Sequence, residues 1–539
     1  MSCGIHRKLR LLFCAVLPLV CFSCRSVKQP AEIAAQLDYS DDVVVRNEIE
    51  RIDRLMQSEP VEALWRAVLL GDGGKTDECA EIVRLKMKEA AEEKNFLEAE
   101  RYSASLAAVG IPFVRENEAP QGESDVPGFR PADASKTPKS VRNCIDATVT
   151  VWVDRGIAVK NGAGYADRII GSGFFIDSRG YIITNNHVIT DLVDPEYEGF
   201  ARLYVKLASD PDTRIPAKVT GYDPVLDLAL LKVEVEPEFV LQLGSSAELS
   251  VGDHVSAIGT PLGLDGTLTS GIISSVDRKL LTLGNVFQID AAVNSGNSGG
   301  PLIDSSMKVQ AVVFAGIPRY QGLNFAVPVE YLKQILPFLY AGGETAHAWI
   351  GASGRTYRDG AEKGGVVIQY AMPGGTAFMA GMGDGDIITG IQGAEIKSLE
   401  DFHFKMMSLQ PGTIARMDVL SAGGKKSEIP VYLKKRPLYP AEEIFSSDFV
   451  SGSFVPIFGM GLVRSSTLSR KSYTIDRIIR GSAADESGFS ENDQISVEDV
   501  KFDRDSGYIF AQVYTKRRKK GFLDIIMILA SPLDGPYYL

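Results

Sequence analysis

Past residue 24 this 539-residue chain has only two cysteines, Cys79 and Cys144, because Cys3, Cys14, Cys21 and Cys24 all fall in its first 24 positions. A disulfide-built scaffold spreads its cysteines through the fold, so that architecture is excluded; a single Cys79–Cys144 bridge is left as the less favoured option. Histidine is scarce as well: His6, His187, His254, His347 and His403 are all there are. No His/Cys/Asp cluster has zinc spacing and no glycine-rich loop carries a phosphate-binding lysine, so the expectation is no metal and no cofactor. Positive charge is short, with 57 Lys and Arg against 69 Asp and Glu and a net charge of −12. The excess acid lies mostly in residues 31–140. Phosphate binding needs a basic face, so nucleic acid is not expected as the partner. The apolar run at Leu11–Cys24 is too short for a comfortable membrane span. What remains, 45% hydrophobic and 23% charged residues, is ordinary globular composition over a length that calls for several domains.

Within that composition one stretch stands out, Asn294-Ser-Gly-Asn-Ser-Gly-Gly-Pro301. Glycines around Ser298 let the chain turn tightly and bring its own N–H groups to a reacting oxygen. Taken alone, such a stretch is as readily a plain turn. A nucleophilic serine also needs a base and an acid to orient that base. His187 follows the apolar strand Tyr181–Thr184, and Asp227 lies among apolar neighbours in Asp223-Pro-Val-Leu-Asp-Leu-Ala-Leu-Leu231. Singly, each reads more readily as a packing histidine or a turn aspartate. Together they run in the order His, Asp, Ser, which is that of chymotrypsin-type barrels and not of subtilisins or α/β-hydrolases. His254 follows Gly-Asp in a strand-like stretch and reads as structural or exposed.

At this point the sequence resembles the HtrA/Deg family of serine proteases. The resemblance rests on Gly171-Ser-Gly-Phe-Phe-Ile176, Thr184-Asn-Asn-His-Val188, Asp227-Leu-Ala-Leu230, Gly252-Asp-His-Val-Ser-Ala-Ile-Gly259, Gln288-Ile-Asp-Ala-Ala-Val-Asn294, Gly296-Asn-Ser-Gly-Gly300 and Asn324-Phe-Ala-Val-Pro328. It implies a multidomain chain: an all-β chymotrypsin-like double β-barrel, two C-terminal PDZ-like α+β domains, and here an N-terminal α-helical region. In order, residues 1–24 read as a lipoprotein-type signal peptide with Cys24 as the lipidated residue. Residues 25–112 read as helical, with apolar stripes at Val45, Ile49, Ile52 and Met56, then Val61, Leu64 and Val68, then Ile82, Leu85 and Ala90. The last two helices loosely resemble a tetratricopeptide hairpin, yet one unit does not make an array, so a small bundle is expected. Residues 113–140 have the composition of a flexible linker. The protease domain spans 141–340 and a first PDZ domain 345–436. A degenerate PDZ-like domain spans 450–539, with Phe458–Val463 as a weaker loop. In the first, Ile350, Gly351 and Ala352 resemble the loop whose N–H groups receive a peptide carboxylate. The basic run Lys516–Lys520 reads as a solvated strand end ahead of a lipid contact.

The resemblance also implies roles. His187 is the base, Asp227 its orienting acid and Ser298 the nucleophile, with the N–H groups of Gly296 and Ser298 as the oxyanion hole. Ala292, six residues before the serine, lies at the foot of the substrate pocket. Its walls come from Phe314, Ala315 and Gly316 and from Leu323, Asn324 and Phe325. With no carboxylate there, cleavage after small or medium aliphatic residues is expected. The function expected is an envelope-anchored, ATP-independent serine endopeptidase acting on misfolded or unfolded proteins. It would be periplasmic or surface-facing, a trimer or multiple of trimers, with peptide C-termini binding the first PDZ domain. The alternative is a chaperone or scaffold whose proteolysis is minor or latent, and a sheddase of one surface protein differs only in substrate.

Overall fold

The computed structural model describes residues 37–111, 134–160, 162–260, 266–294, 296–316, 323–360, 362–465, 471–518 and 522–539. The expected signal segment and Cys24 lie outside them. Two bodies result: one holds residues 36–371, 375–436 and 535–539, the other residues 437–534 with 372–374. Among the described residues no helix is long and apolar enough to cross a membrane.

The first body begins with four helices, α1 (Asp42–Ser58), α2 (Pro60–Leu70), α3 (Gly73–Glu92) and α4 (Phe96–Ala108). Asp41, Asp72 and Asn95 cap α1, α3 and α4 by accepting N–H groups of the first turn. Pro60 opens α2, where its missing N–H costs nothing, and Gly71 closes it with φ +74°. In α3 the expected stripe holds at Ala90 and, partly buried, at Ile82, and fails at Leu85. Leu85 is exposed, and Cys79, Ala80, Val83, Met87 and Ala90 face inward. The small Cys79 and Ala80 let helices approach closely, a face that counting only large apolar residues misses.

These helices do not stand free. Their core includes Ile414 and Tyr432 from a later sheet. Trp65 is fully buried, donates from Nε1 to Pro430 O at 2.8 Å and stacks on Tyr432 at 5.9 Å between centroids. Replacing Trp65 with Ala is expected to cost about 3–5 kcal/mol, read as a shift in urea midpoint. An unchanged midpoint would mean the helices are not seated on that sheet in solution.

The expected linker ends early. Residues 134–140 are pinned where Val240 N–H reaches Lys136 O and Gln242 Nε2 reaches Thr137 Oγ1, both at 3.0 Å. Helix α5 (Val141–Asp146) follows, capped by Ser140. Cys144 sits in its own core and Cys79 in the helical one; both are free, so no bridge joins them. Burial pushes each thiol up to about 11.

Next come β1 (Thr148–Lys160), β2 (Ala163–Asp177), β3 (Tyr181–Thr184), β4 (Arg202–Leu207), β5 (Asp210–Asp223) and β6 (Leu228–Val233). Their sheet runs β5-β4-β1-β2-β3-β6, and β5 also pairs β6. A closed barrel then forms from β7 (His254–Gly259), β8 (Thr267–Arg278), β9 (Val286–Ile289), β10 (Pro301–Ile303), β11 (Val309–Gly316) and β12 (Asn324–Pro328). Helix α6 (Asn186–Val193) follows β3, and α7 (Val329–Ala341) closes the region by burying Leu332, Ile335, Leu336 and Leu339.

A third sheet runs β13 (Ala352–Asp359), β14 (Glu362–Ala371), β15 (Ile387–Ile391), β16 (Ile414–Leu420) and β17 (Lys426–Tyr432), with β13 at its edge and helix α8 (Leu399–Met407) in the same core. In α8, His403 is buried; desolvation, reinforced by the positive Arg436, pushes its imidazole from 6.5 down to about 3. The unfolded chain takes up a proton there that the folded one refuses. Its contribution is therefore fully present above pH 6.5 and lost as pH falls toward 3. Melting temperature should fall between pH 7.5 and 5 in the native protein and fall less in His403→Leu; equal falls would contradict this.

The second body holds helices α9 (Pro440–Ser447) and α10 (Val450–Phe458). Its sheet runs β18 (Met460–Arg464), β19 (Ser472–Ile478), β20 (Gln494–Asp503), β21 (Tyr508–Arg518) and β22 (Phe522–Pro532). Two boundaries move. This body starts before residue 450, and residues 535–539 belong to the first body. Gly459, inside the weaker loop candidate, is the left-handed cap of α10 with φ +76°. Lys516, Arg517 and Arg518 pair with β22 as a strand end; Lys519 and Lys520 lie outside the described residues.

Candidate active site

His187 and Asp227 reach one another through local backbone choices. Asn185 has extended backbone and precedes α6, so His187 leaves β3 in the first turn of a helix. Asp227 takes φ +55°, a left-handed conformation that a short polar side chain tolerates better than a branched one. That turn is held from below: Asp223 Oδ1 accepts the N–H groups of Val225 and Leu226 at 2.9 and 3.0 Å, and Asn185 Nδ2 donates to Asp227 O at 2.8 Å. Asp227 Oδ2 lies 2.7 Å from His187 Nδ1 and Oδ1 accepts the His187 N–H at 2.8 Å. A carboxylate bonding both ring and backbone of one residue fixes the imidazole in orientation and tautomer, with Nδ1 carrying the proton.

Ser298 lies on a loop between β9 and β10. Gly296 has φ +106° and Gly299 φ +85°, values an L side chain rarely adopts. Space decides the next two positions. A Cβ on Gly299 would meet Ser172 O at 2.2 Å, and one on Gly300 would meet Ile258 O at 2.2 Å. The loop is thus gripped by both sheets. Ser172 on β2 donates from Oγ to Gly296 O at 2.5 Å, accepts Thr260 N–H at 2.9 Å and donates its own N–H to Ser298 O at 2.7 Å. Among the described residues the N–H groups of Gly296 and Ser298 have no hydrogen-bond acceptor. Ser298 Oγ donates to Phe314 O at 3.3 Å, and no hydrogen bond joins it to His187.

The expected pocket residues gather on this side. Ala292 is exposed, and its carbonyl accepts Thr269 Oγ1 at 2.8 Å. Asn324 Nδ2 holds Ala291 O at 2.8 Å. Phe314 and Phe325 pack at 6.4 Å between centroids, and Leu323 is half-buried. Ala315 and Gly316 lie on β11, with side chains outside the described residues, as are 261–265, Ser295 and 317–322. His254 is exposed at the start of β7, as expected of a residue outside the site. Among the described residues no cluster could hold a metal ion. Sequence reasoning missed Ser172 as the clamp of the serine loop; only its place inside Gly171-Ser-Gly pointed to it.

Comparison with known proteins bears on the same residues. The trypsin-like peptidase domain family matches residues 171–312, the TP0546 family PDZ domain matches 441–533, and a domain of unknown function matches 43–124. A probable periplasmic serine endoprotease DegP-like of Ectopseudomonas mendocina (strain ymp) is 35% identical over 269 residues, 48% of this chain and 55% of that protein. Its counterpart in Bartonella henselae is 36% identical over 280 residues, 50% and 53%. The chain thus spans about half the length of the curated relatives it matches. The solved HtrA-type protease AlgW with decapeptide shares 25% identity at a TM-score of 0.45, covering 55% of this chain and 99% of that one. Over residues 171–312 the chain is thus similar to trypsin-like peptidases, and over about half its length to DegP-like serine endoproteases at 35–36% identity.

Proposed function

We propose that the chain is a serine endopeptidase in which Ser298 attacks a peptide carbonyl, His187 takes its proton and returns it to the leaving amine, and Asp227 holds the imidazole and stabilises its charged form. The observation that carries this is the doubly bonded His187–Asp227 pair. For the reaction to start, the Ser298 hydroxyl exchanges its bond to Phe314 O for one to His187 Nε2. The N–H groups of Gly296 and Ser298 then bind the oxyanion. Ser172, bonded to the carbonyl oxygens of Gly296 and Ser298, holds the backbone that carries these N–H groups. Ser172→Ala is expected to slow hydrolysis about 100-fold, because a shift of about 1 Å in a donor costs that much, and to cost about 1–3 kcal/mol of stability by leaving buried Gly296 O and Thr260 N–H unpaired. Full activity in Ser172→Ala would remove it from the mechanism.

Ala292, Phe314, Leu323, Asn324 and Phe325, with Ala315 and Gly316, form an uncharged pocket suited to small or medium aliphatic side chains. A peptide library should show cleavage after Val, Ala, Ile or Leu; predominant cleavage after Arg or Lys would refute the pocket. The substrates proposed are unfolded or misfolded proteins in the periplasm, where the DegP-like relatives are named as working. Trp349–Ala352 at the start of the first PDZ-like sheet is proposed to bind peptide ends. Assembly into trimers, tested by sedimentation, and lipid attachment at Cys24, tested by loss of acyl label in Cys24→Ala, complete the proposal. One observation favours the chaperone reading: the Ser298 hydroxyl is engaged by Phe314 O and not by His187. Casein digested by the native protein and not by Ser298→Ala decides for the protease.

A further inference from the structure

The edge of the first PDZ-like sheet is already taken, and by this chain. Residues 537–539 lie antiparallel along the start of β13, with Tyr538 opposite Ser353. Leu539 N–H donates to Ala352 O at 2.8 Å, Ile350 N–H to Leu539 O at 3.0 Å and Gly354 N–H to Tyr537 O at 2.9 Å. This is strand addition at an exposed sheet edge, and it uses the Ile350 N–H of the loop proposed to receive peptide ends.

The side chains are read as well as the backbone. Leu539 is 1% exposed and packs with Ile350, Val366, Phe402 and Met406. Gly354 makes its room, since a Cβ there would meet Leu539 Cδ1 at 2.8 Å. The Arg355 guanidinium lies 4.1 Å from the centre of the Tyr537 ring, a cation–π contact. Arg436, itself buried, donates from Nη1 to Tyr538 O at 2.8 Å and from Nη2 to Gly535 O at 3.3 Å. Each residue of the segment therefore has a separate feature on the groove side that fits it.

We propose that the groove between β13 and α8 is a site for peptides carrying an aromatic–aromatic–leucine run, and that Tyr537–Leu539 of this chain is its resident ligand, which an incoming peptide of that kind displaces. The proposal rests on the reading of Trp349–Ala352 as a peptide-binding loop. A tethered ligand acts at a high effective concentration, and an outside peptide sees only the fraction of molecules whose groove is open. Freeing the groove should therefore tighten outside binding without altering any contact the peptide makes.

The test uses full-length protein with Ser298→Ala, so that the probe is not cleaved, and a fluorescein-labelled peptide of residues 534–539 read by anisotropy. Leu539→Asp should bind the probe at least about tenfold more tightly than its parent, since a buried carboxylate evicts the segment. Because that variant also disturbs the core, a second one works within a single molecule. Ser353→Cys/Tyr538→Cys places two thiols at a directly paired position, where Cα separations suit a disulfide. The reduced form should bind the probe and the oxidised form, its cross-link confirmed by mass spectrometry, should not. Equal binding by oxidised and reduced forms overturns self-occupancy and leaves the loop reading standing. Binding by none of the forms overturns the loop reading itself.

Discussion

Replacing Ser298 with alanine will lower the rate of casein hydrolysis by about 10⁴-fold or more while leaving the melting temperature within a degree or two. The size of the effect follows from covalent catalysis. Without the hydroxyl no acyl-enzyme forms, and only substrate positioning and oxyanion donors remain to favour attack by water. Stability is spared because Ser298 Oγ makes one bond, to Phe314 O, at a half-buried site, so its removal leaves no charge and no cavity of consequence. A variant with substantial residual activity would mean that another group is the nucleophile. A variant that unfolds would leave the loss of rate unexplained by chemistry.

The second large effect is expected at Asp227. In Asp227→Asn the side chain keeps its size, but one of its two positions facing His187 becomes an N–H donor. The carboxylate accepts both the ring Nδ1 proton and the backbone N–H of His187, at 2.7 and 2.8 Å. The amide oxygen can serve only one of them. If it keeps the backbone bond, the amide nitrogen faces Nδ1 and turns it into an acceptor, so Nε2 carries the proton and cannot act as a base. The rate at neutral pH should fall about 10³- to 10⁴-fold with substrate affinity nearly unchanged. A fall confined to KM would show that Asp227 shapes the pocket and does not orient the base.

Below these two residues lies a support the sequence did not advertise. His347 Nε2 and Asp223 Oδ2 meet at 2.9 Å with both side chains buried, and Asp223 caps the turn that presents Asp227. The segment carrying His347 joins the barrel region to the sheet that begins with β13, and His347 O accepts the Arg436 N–H at 2.8 Å. His347 stood out in the sequence only as one of five histidines, because its partner is 124 residues away.

The same distinction between local and distant causes separates what was legible from what was not. The contact of His187 with Asp227 and the tight loop around Ser298 are legible because a nucleophilic serine site calls for those residue types in that order, and the glycines at 296 and 299 because a turned backbone demands them. The strand Tyr181–Thr184 and the apolar stripes of α1 and α2 follow from patterning within each segment. Ser172 was missed because its bonds run to residues 124 and 88 positions away, and nothing in a Gly-Ser-Gly triplet says so. Trp65 reads as one more core residue of a helix until its donor finds Pro430, 365 residues on. Adjacency in the chain places Tyr537–Leu539 in the last domain, whereas two backbone bonds attach it to β13 and a third to Ile350 just before that strand. Size alone points Leu85 inward, whereas the smaller Val83 is buried and lets α3 sit close to its neighbours.

The most direct measurement is to treat the folded protein with a fluorophosphonate and locate the adduct by mass spectrometry after digestion. A serine made nucleophilic by a neighbouring base is phosphonylated far faster than the ordinary serines around it. One dominant adduct is expected, on Ser298, absent from Ser298→Ala and strongly slowed in Asp227→Asn. Casein digestion without an adduct on Ser298, or with the adduct on a different serine, would contradict it.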